Sequence, residues 1–262
     1  MEPQDEPYRL LAADEPPPVL EAGLQGRSSF LIVVDHASAR IPRCLGSLGL
    51  AQSELQRHIA WDIGALAVAQ QVAAALDAPL IAQNYSRLVI DCNRDPEVAT
   101  SIPVVGEVTA IPGNIGLSAA AVAARRAEIF HPYHARIGAL LDARRAAGRP
   151  AIVVAQHTMT NIFKGVRREM HAAVLYNRDP RFARLVLDRL RREPQLHIAD
   201  NEPYFVSDAT DYTIPRHAEA RSLPHVEIEI RQDLVSEPTG QAEWARRISA
   251  VLTDAEQAFL GP

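Results

Sequence analysis

Apolar residues fall along this chain in short runs of strand length, separated by longer segments in which they recur at helical spacing. Residues 30–34 (FLIVV), 79–82 (PLIA), 88–90 (LVI), 151–155 (AIVVA) and 172–176 (AAVLY) are nearly free of polar side chains, so each predicts a buried strand. Residues 225–230 (HVEIEI) instead alternate Val226, Ile228 and Ile230 with Glu227 and Glu229, the period of a strand with one polar face. Residues 61–76 place Ala65, Leu66, Ala69, Val72, Ala73 and Leu76 on one helical face. Ser118 predicts an N-cap for an alanine-rich helix running toward Ile129, which Pro132 kinks or restarts before a second stretch to Ala147. Asp179 and Pro180 start another helix, buried through Phe182, Leu185, Val186 and Leu190. Trp244, Ile248, Val251, Leu252, Ala255 and Phe259 mark a terminal amphipathic helix. Strands alternating with helices predict an α/β fold with three layers, α/β/α, around a mixed, mainly parallel central sheet.

Two stretches break the alternation. Residues 1–27 are acidic and carry Pro16, Pro17 and Pro18, which predicts an N-terminal arm, extended on the surface or partly disordered, ahead of a single domain over 28–262. Residues 96–116 are rich in proline and glycine without periodicity, the mark of a long loop, and long loops in compact domains usually carry function.

Composition narrows the function classes. With 262 residues, 47% hydrophobic and 23% charged, the chain can bury a large core, and a net charge of −5 with scattered arginines offers no basic field for nucleic acid. No apolar run has membrane-spanning length, and the acidic N-terminus lacks the pattern of a signal peptide, so a cytoplasmic protein is expected. Cys44 and Cys92 are too few to form a disulfide framework and read as free thiols.

The chemistry gathers where strands end. His36 follows the first strand, Asn93 and Arg94 follow residues 88–90 with Arg87 just before them, His157 follows residues 151–155, and Glu229 lies on the last strand. Ligands drawn from separated strand ends are typical of a catalytic metal site, and zinc in hydrolases takes three protein ligands and leaves a position for water. His36 and His157 suit the imidazole positions. Asp62, expected to open the helix after the first strand, is the candidate third ligand for one zinc ion, with His58 on the same helical face as the alternative. Glu229 would be the general base, and an arginine beside the metal would stabilise an oxyanion. His131 and His134 share an i, i+3 spacing that also suits a metal. Each histidine alone has the plainer reading of a cap or surface residue, and either glutamate of the last strand that of an ion-pair partner. Asn201, Tyr204 and Tyr212, in the loop before that strand, stand where they could close over a substrate.

Taken together, VDHAS with Ile41-Pro42, HIAWDIGA, NYSRLVIDCNRDP, QHT, DNEPY and HVEIEIRQDL, in this order, resemble the N-formylglutamate amidohydrolase family, which in turn resembles zinc carboxypeptidase and aspartoacylase-like hydrolases. The resemblance covers most of residues 30–235 and implies a zinc-carboxypeptidase/phosphorylase-like fold. It implies hydrolysis of the amide of a small N-acyl amino acid, N-formyl-L-glutamate first, to formate and glutamate. By the same resemblance Arg87 would polarise the scissile carbonyl, Asn93 and Arg94 would bind the α-carboxylate, His157 would hold zinc and Glu229 would be the base. This chain departs from the wider group in two places. Ala39 stands where a His-x-x-Glu pair would place its carboxylate, and Asp62 stands where better-characterised relatives carry a histidine. Another N-acyl amino acid or small peptide as substrate, or a binding protein of the same fold without catalysis, are the alternatives.

Overall fold

The structure is a computed structural model, and it describes residues 8–261. Its strands are β1 (Val19–Ala22), β2 (Phe30–Val34), β3 (Leu80–Gln83), β4 (Val105–Gly106), β5 (Thr109–Ala110), β6 (Ile152–Met159), β7 (Ile162–Phe163), β8 (Val166–Arg167), β9 (Ala172–Leu175), β10 (Ile198–Asp200) and β11 (His225–Arg231). The α-helices are α1 (Gln52–Leu55), α2 (Ala65–Leu76), α3 (Ala119–Arg125), α4 (His131–Ala146), α5 (Arg181–Leu190) and α6 (Pro238–Leu260).

Seven strands form the central sheet in the order β1-β3-β2-β6-β11-β9-β10, while β4-β5 and β7-β8 are small separate hairpins. Strands β3, β2, β6 and β11 run parallel, β1 is antiparallel to β3, and β9 is antiparallel to β11, so the sheet is mixed and mainly parallel, as the sequence pattern implied. Because side chains alternate along a strand, Phe30, Ile32 and Val34 pack with α2, α5 and α6 on one face, while Leu31 and Val33 pack with α3 and α4 on the other. A parallel sheet covered on both faces explains why these runs lack polar residues. Ser118 caps α3 by accepting from the Ala121 amide, and a π-turn over Arg126–Phe130 carries that helix into α4 with Pro132 in its first turn. No helix among the described residues is long and apolar enough to cross a membrane.

The structure corrects three expectations. Within the stretch expected to lie as a surface arm, Val19–Ala22 is an edge strand of the central sheet and Leu10 is fully buried; residues 1–7 lie outside the described part. Helix α2 begins at Ala65 rather than 61, because Gly64 before it takes a left-handed conformation (φ 82°) with Val235 packed where a Cβ would stand. His58 and Asp62 therefore sit in the preceding turn, not on a helical face.

The third correction concerns residues 88–90, which are buried but form no strand. Their backbone is satisfied by side chains: Asn114 Nδ2 donates to the Leu88 carbonyl at 2.8 Å and the fully buried Arg125 donates to Val89 at 2.9 Å. Asn114 also accepts from Arg125 at 2.7 Å and donates to the Pro103 carbonyl at 2.7 Å. An apolar run whose carbonyls are capped in this way has no need of a sheet neighbour. Asn114→Ala leaves the Leu88 and Pro103 carbonyls unpaired in the interior and removes one of the two hydrogen bonds of Arg125, and should lower stability by about 3 kcal/mol. Urea unfolding would show this as a reduced midpoint with an unchanged slope, and an unaltered midpoint would contradict it.

Candidate metal centre and active-site cavity

The side-chain period that packs Leu31 and Val33 places the next residue of that face, Asp35, at the carboxyl end of β2, followed by His36. On β6, His157 follows Val153 and Ala155 on the same face, and on β11 Glu227 and Glu229 occupy the face opposite Val226, Ile228 and Ile230. His157 and Glu229 are register partners across β6 and β11. The alternation in HVEIEI therefore has a polar face that looks into the protein.

His36, Asp62 and His157, all buried, each offer one ligand atom, and these atoms lie within 4.8 Å of one another. Asp62 Oδ2 stands 2.8 Å from His157 Nδ1 and 3.4 Å from His36 Nδ1. The Asp62 amide donates to the His36 carbonyl at 2.9 Å, which ties the two segments together. The outer nitrogen of each ring is also held: His157 Nε2 lies 3.1 Å from Asp35 and His36 Nε2 lies 2.7 Å from Asp91. Metal-ligating histidines are usually oriented by a carboxylate in this manner, which fixes the proton on the outer nitrogen and directs the inner lone pair at the ion. The alternative third ligand, His58, is elsewhere on the cavity wall, 3.6 Å from Glu107. His131 and His134 do not form a metal pair, since His134 bonds His217 at 2.9 Å and the Cys92 carbonyl at 2.8 Å.

Asp35, which the sequence reading missed, also accepts from Tyr133 and Thr213 at 2.9 and 2.6 Å. Burial alone would raise its pKa, but the hydrogen bond and charge of His157 outweigh it and hold the group at about 2. Burial likewise opposes charge on Asp62 and Asp91, and the surrounding cations reverse it, so both carboxyls are pulled below the usual range. Burial and Arg87 disfavour charge on His36, yet Asp91 and Asp62 prevail and raise it; burial lowers His157 less than Glu227, Asp35 and Asp62 raise it. Three buried aspartates thus face Arg87 and two imidazoles whose protonated forms they favour. A divalent cation held by this cluster would supply the positive charge that these carboxylates favour. Donor types, oriented rings and charge all fit a zinc ion held by His36, Asp62 and His157.

Arg87 donates to Asp91 at 2.6 Å and lies 3.6 Å from Asp62, with about a quarter of its side chain exposed to the cavity. Glu229 Oε2 and Glu227 Oε2 are buried and lack a hydrogen-bond partner among the described residues. Burial raises both: Glu229 to about 7, and Glu227 well above the ordinary carboxyl value.

These groups line one cavity of about 750 Å³, within the range of small-molecule sites. Its lining also includes Val105, Gly106 and Glu107 of the β4-β5 hairpin, Phe163 of β7, and Pro203, Tyr204 and Phe205. Arg168, another residue without a signal in the sequence, is buried with its guanidinium 5.2 Å from the Phe163 ring and 4.8 Å from the Tyr204 ring, pinning these two segments together. Asn93 and Arg94 also line the cavity, although Asn93 is engaged on both sides of its amide: it accepts from Tyr212 and Thr213 at 3.0 Å and donates to Asp211 at 2.9 Å. Arg94 donates to the Thr210 carbonyl. Of the loop residues expected over the substrate, only Tyr204 reaches this cavity. Asn201 turns away to accept from the Tyr176 amide at 2.9 Å, and the Tyr212 ring packs on Phe130 and His134.

Comparison with known proteins gives the fold and the family. The crystal structure of gene product Atu2144 from Agrobacterium tumefaciens is similar over 97% of this chain and 100% of its own, at 36% identity and a TM-score of 0.93. An N-formylglutamate amidohydrolase from Ralstonia eutropha JMP134 shares the fold, with 22% identity, 94% and 99% coverage and a TM-score of 0.68. No curated protein matches the sequence. The family model described as N-formylglutamate amidohydrolase matches residues 28–236, which include all of the cavity's charged residues named above, and the chain belongs to that family.

Proposed function

We propose that the protein is a zinc-dependent amidohydrolase that cleaves the amide of a small N-acyl amino acid, with N-formyl-L-glutamate the leading substrate, to a carboxylic acid and the free amino acid. The observation that carries this reading is the buried His36–Asp62–His157 cluster, oriented by Asp35 and Asp91, with the unpartnered Glu229 in the same cavity. A zinc ion held there would acidify water and withdraw electrons from a carbonyl oxygen. Asp62 supplies the cluster with a carboxylate although Ala39 does not, which favours an enzyme over a fold that has lost its catalysis.

The chain's own residues then divide the work. Glu229 takes the proton of the attacking water and returns it to the departing nitrogen. Arg87, fixed by Asp91, donates to the oxyanion that develops on the acyl carbonyl. Arg94 pairs with the substrate's α-carboxylate, and Asn93 fixes the Asp211–Thr213 backbone beside it. Hydrolysis of N-formyl-L-glutamate by purified protein, assayed as primary amine release with and without added zinc, tests the reading; no turnover of this or any other N-acyl amino acid by zinc-loaded protein would end it.

The two arginines should separate kinetically. Arg87→Ala removes a transition-state contact and should lower kcat by about 10²-fold or more. Arg94→Ala should act chiefly on KM, because it binds a group that does not change during the reaction. Metal content measured in both variants shows whether the loss at Arg87 passes through the ion instead.

A further inference from the structure

A second cavity, of about 600 Å³, shares no lining residue with the first. Its wall contains His134, Tyr212 and His217, with Arg145, Arg216 and Arg221 around it. The protons in this wall can be assigned. His134 Nε2 lies 2.8 Å from the Cys92 carbonyl, which can only accept, so Nε2 carries a proton. Burial holds the pKa of His134 down at about 4; burial and the neighbouring His134 hold His217 at about 3, so both rings are neutral at pH 7. His134 Nδ1 is therefore a lone pair, and His217 Nε2, 2.9 Å away, must donate to it. This leaves His217 Nδ1 as a bare lone pair, buried and without a partner among the described residues. What the site lacks at that atom is a donor.

The surroundings supply positive charge. The side chains of Arg145 and Arg216 have no hydrogen-bond or ion-pair partner among the described residues, whereas Arg221 donates to Asp142 at 3.1 Å. Gly138 of α4 keeps the floor open: a Cβ there would stand 3.5 Å from Arg221 Nη2 and 4.0 Å from His217 Cε1.

We propose that this cavity binds a small oxyanion that also carries an O–H or N–H donor, the chemistry shared by hydrogen phosphate and an α-amino acid, with its anionic oxygens on Arg145 and Arg216 and its donor on His217 Nδ1. A simple anion such as chloride satisfies the arginines and leaves the lone pair unmet. The site borders the catalytic loop, because His134 holds the Cys92 carbonyl and the Tyr212 amide holds Asn93.

Isothermal titration of the full chain at neutral pH with sodium phosphate, with L-glutamate and with sodium chloride tests this. Saturable binding of phosphate or glutamate, but not chloride, is expected, and the probe that binds identifies the source of the anion. The double variant Arg145→Ala/Arg216→Ala should weaken that binding at least about tenfold. Gly138→Leu, which fills the floor with a better helix former, should do the same without loss of fold. Arg246→Ala, on an exposed part of α6, should bind as the wild type does. Absence of saturable binding by both probes, or equal affinity in the wild type and the cavity variants, would overturn the proposal. L-glutamate can also enter the first cavity as a reaction product, so only binding that the variants of the second cavity weaken counts for this site, which keeps the test apart from the hydrolytic reading.

Discussion

Glu229→Gln should lower kcat by about 10³-fold while leaving the metal content unchanged. The glutamate lies on the same strand face as Glu227, two residues away, and both are buried with an unpartnered oxygen, so either could be taken for the base. Their environments separate them. Burial pushes Glu229 to about 7, within reach of ionisation at working pH, whereas Glu227 is raised well above the ordinary carboxyl value by burial. A protonated acid cannot take a proton from water. Glu227→Gln, at the carboxyl that burial raises further, should therefore have the smaller effect. The sign of the pH dependence follows: kcat/KM should rise with pH as Glu229 ionises and then level off. A bound cation draws the carboxyl down, so the midpoint of this acid limb should fall between the ordinary 4.5 and about 7. The limb should vanish in Glu229→Gln. A full rate in that variant, or a loss of rate in Glu227→Gln alone, would move the role to the other carboxylate.

The parts of this site that the sequence made legible are those set by strand period. FLIVV running into Asp35-His36, AIVVA into Gln156-His157, and the alternation around Glu229 each state which side chain ends a buried strand and which face it takes. Asp35 was open to the same logic, being two residues beyond Val33, and Glu227 two residues before Glu229. Contacts made by irregular backbone were not legible. The run LVI at 88–90 has the composition of a strand, and only Asn114 and Arg125, distant in sequence, turn its carbonyls away from the sheet. Asn201 and Tyr212 had the right polarity for a substrate loop, yet which way such a loop turns its side chains depends on partners such as Tyr176 and Phe130 that no local pattern shows. The edge strand β1 was hidden by its acidic, proline-rich surroundings: it pairs through backbone on a sheet edge, where few buried side chains are needed to hold it.

Asp62→Asn should abolish metal binding under conditions in which Asp35→Asn only weakens it. Asp62 is the single carboxylate shared by both inner nitrogens and the only carboxylate of the three-residue cluster. Its charge matters as much as its oxygen: with an amide there, one of the three aspartates that balance the cations is gone, and the interior around Arg87 and a divalent ion would carry excess positive charge. Asp35 acts one bond further out. It orients His157 from behind and, with Tyr133 and Thr213 also on it, an asparagine would keep part of that geometry while losing the charge. Removing such an outer partner typically lowers metal affinity by about 10 to 100-fold, and removing Asp62 should exceed that. Competition against a zinc chelator gives the ranking, wild type above Asp35→Asn above Asp62→Asn, with far-ultraviolet circular dichroism to confirm that each variant folds. Zinc retained by Asp62→Asn at wild-type affinity would mean that the ion is held by a different set of residues, and would remove the cluster from the centre of the proposed mechanism.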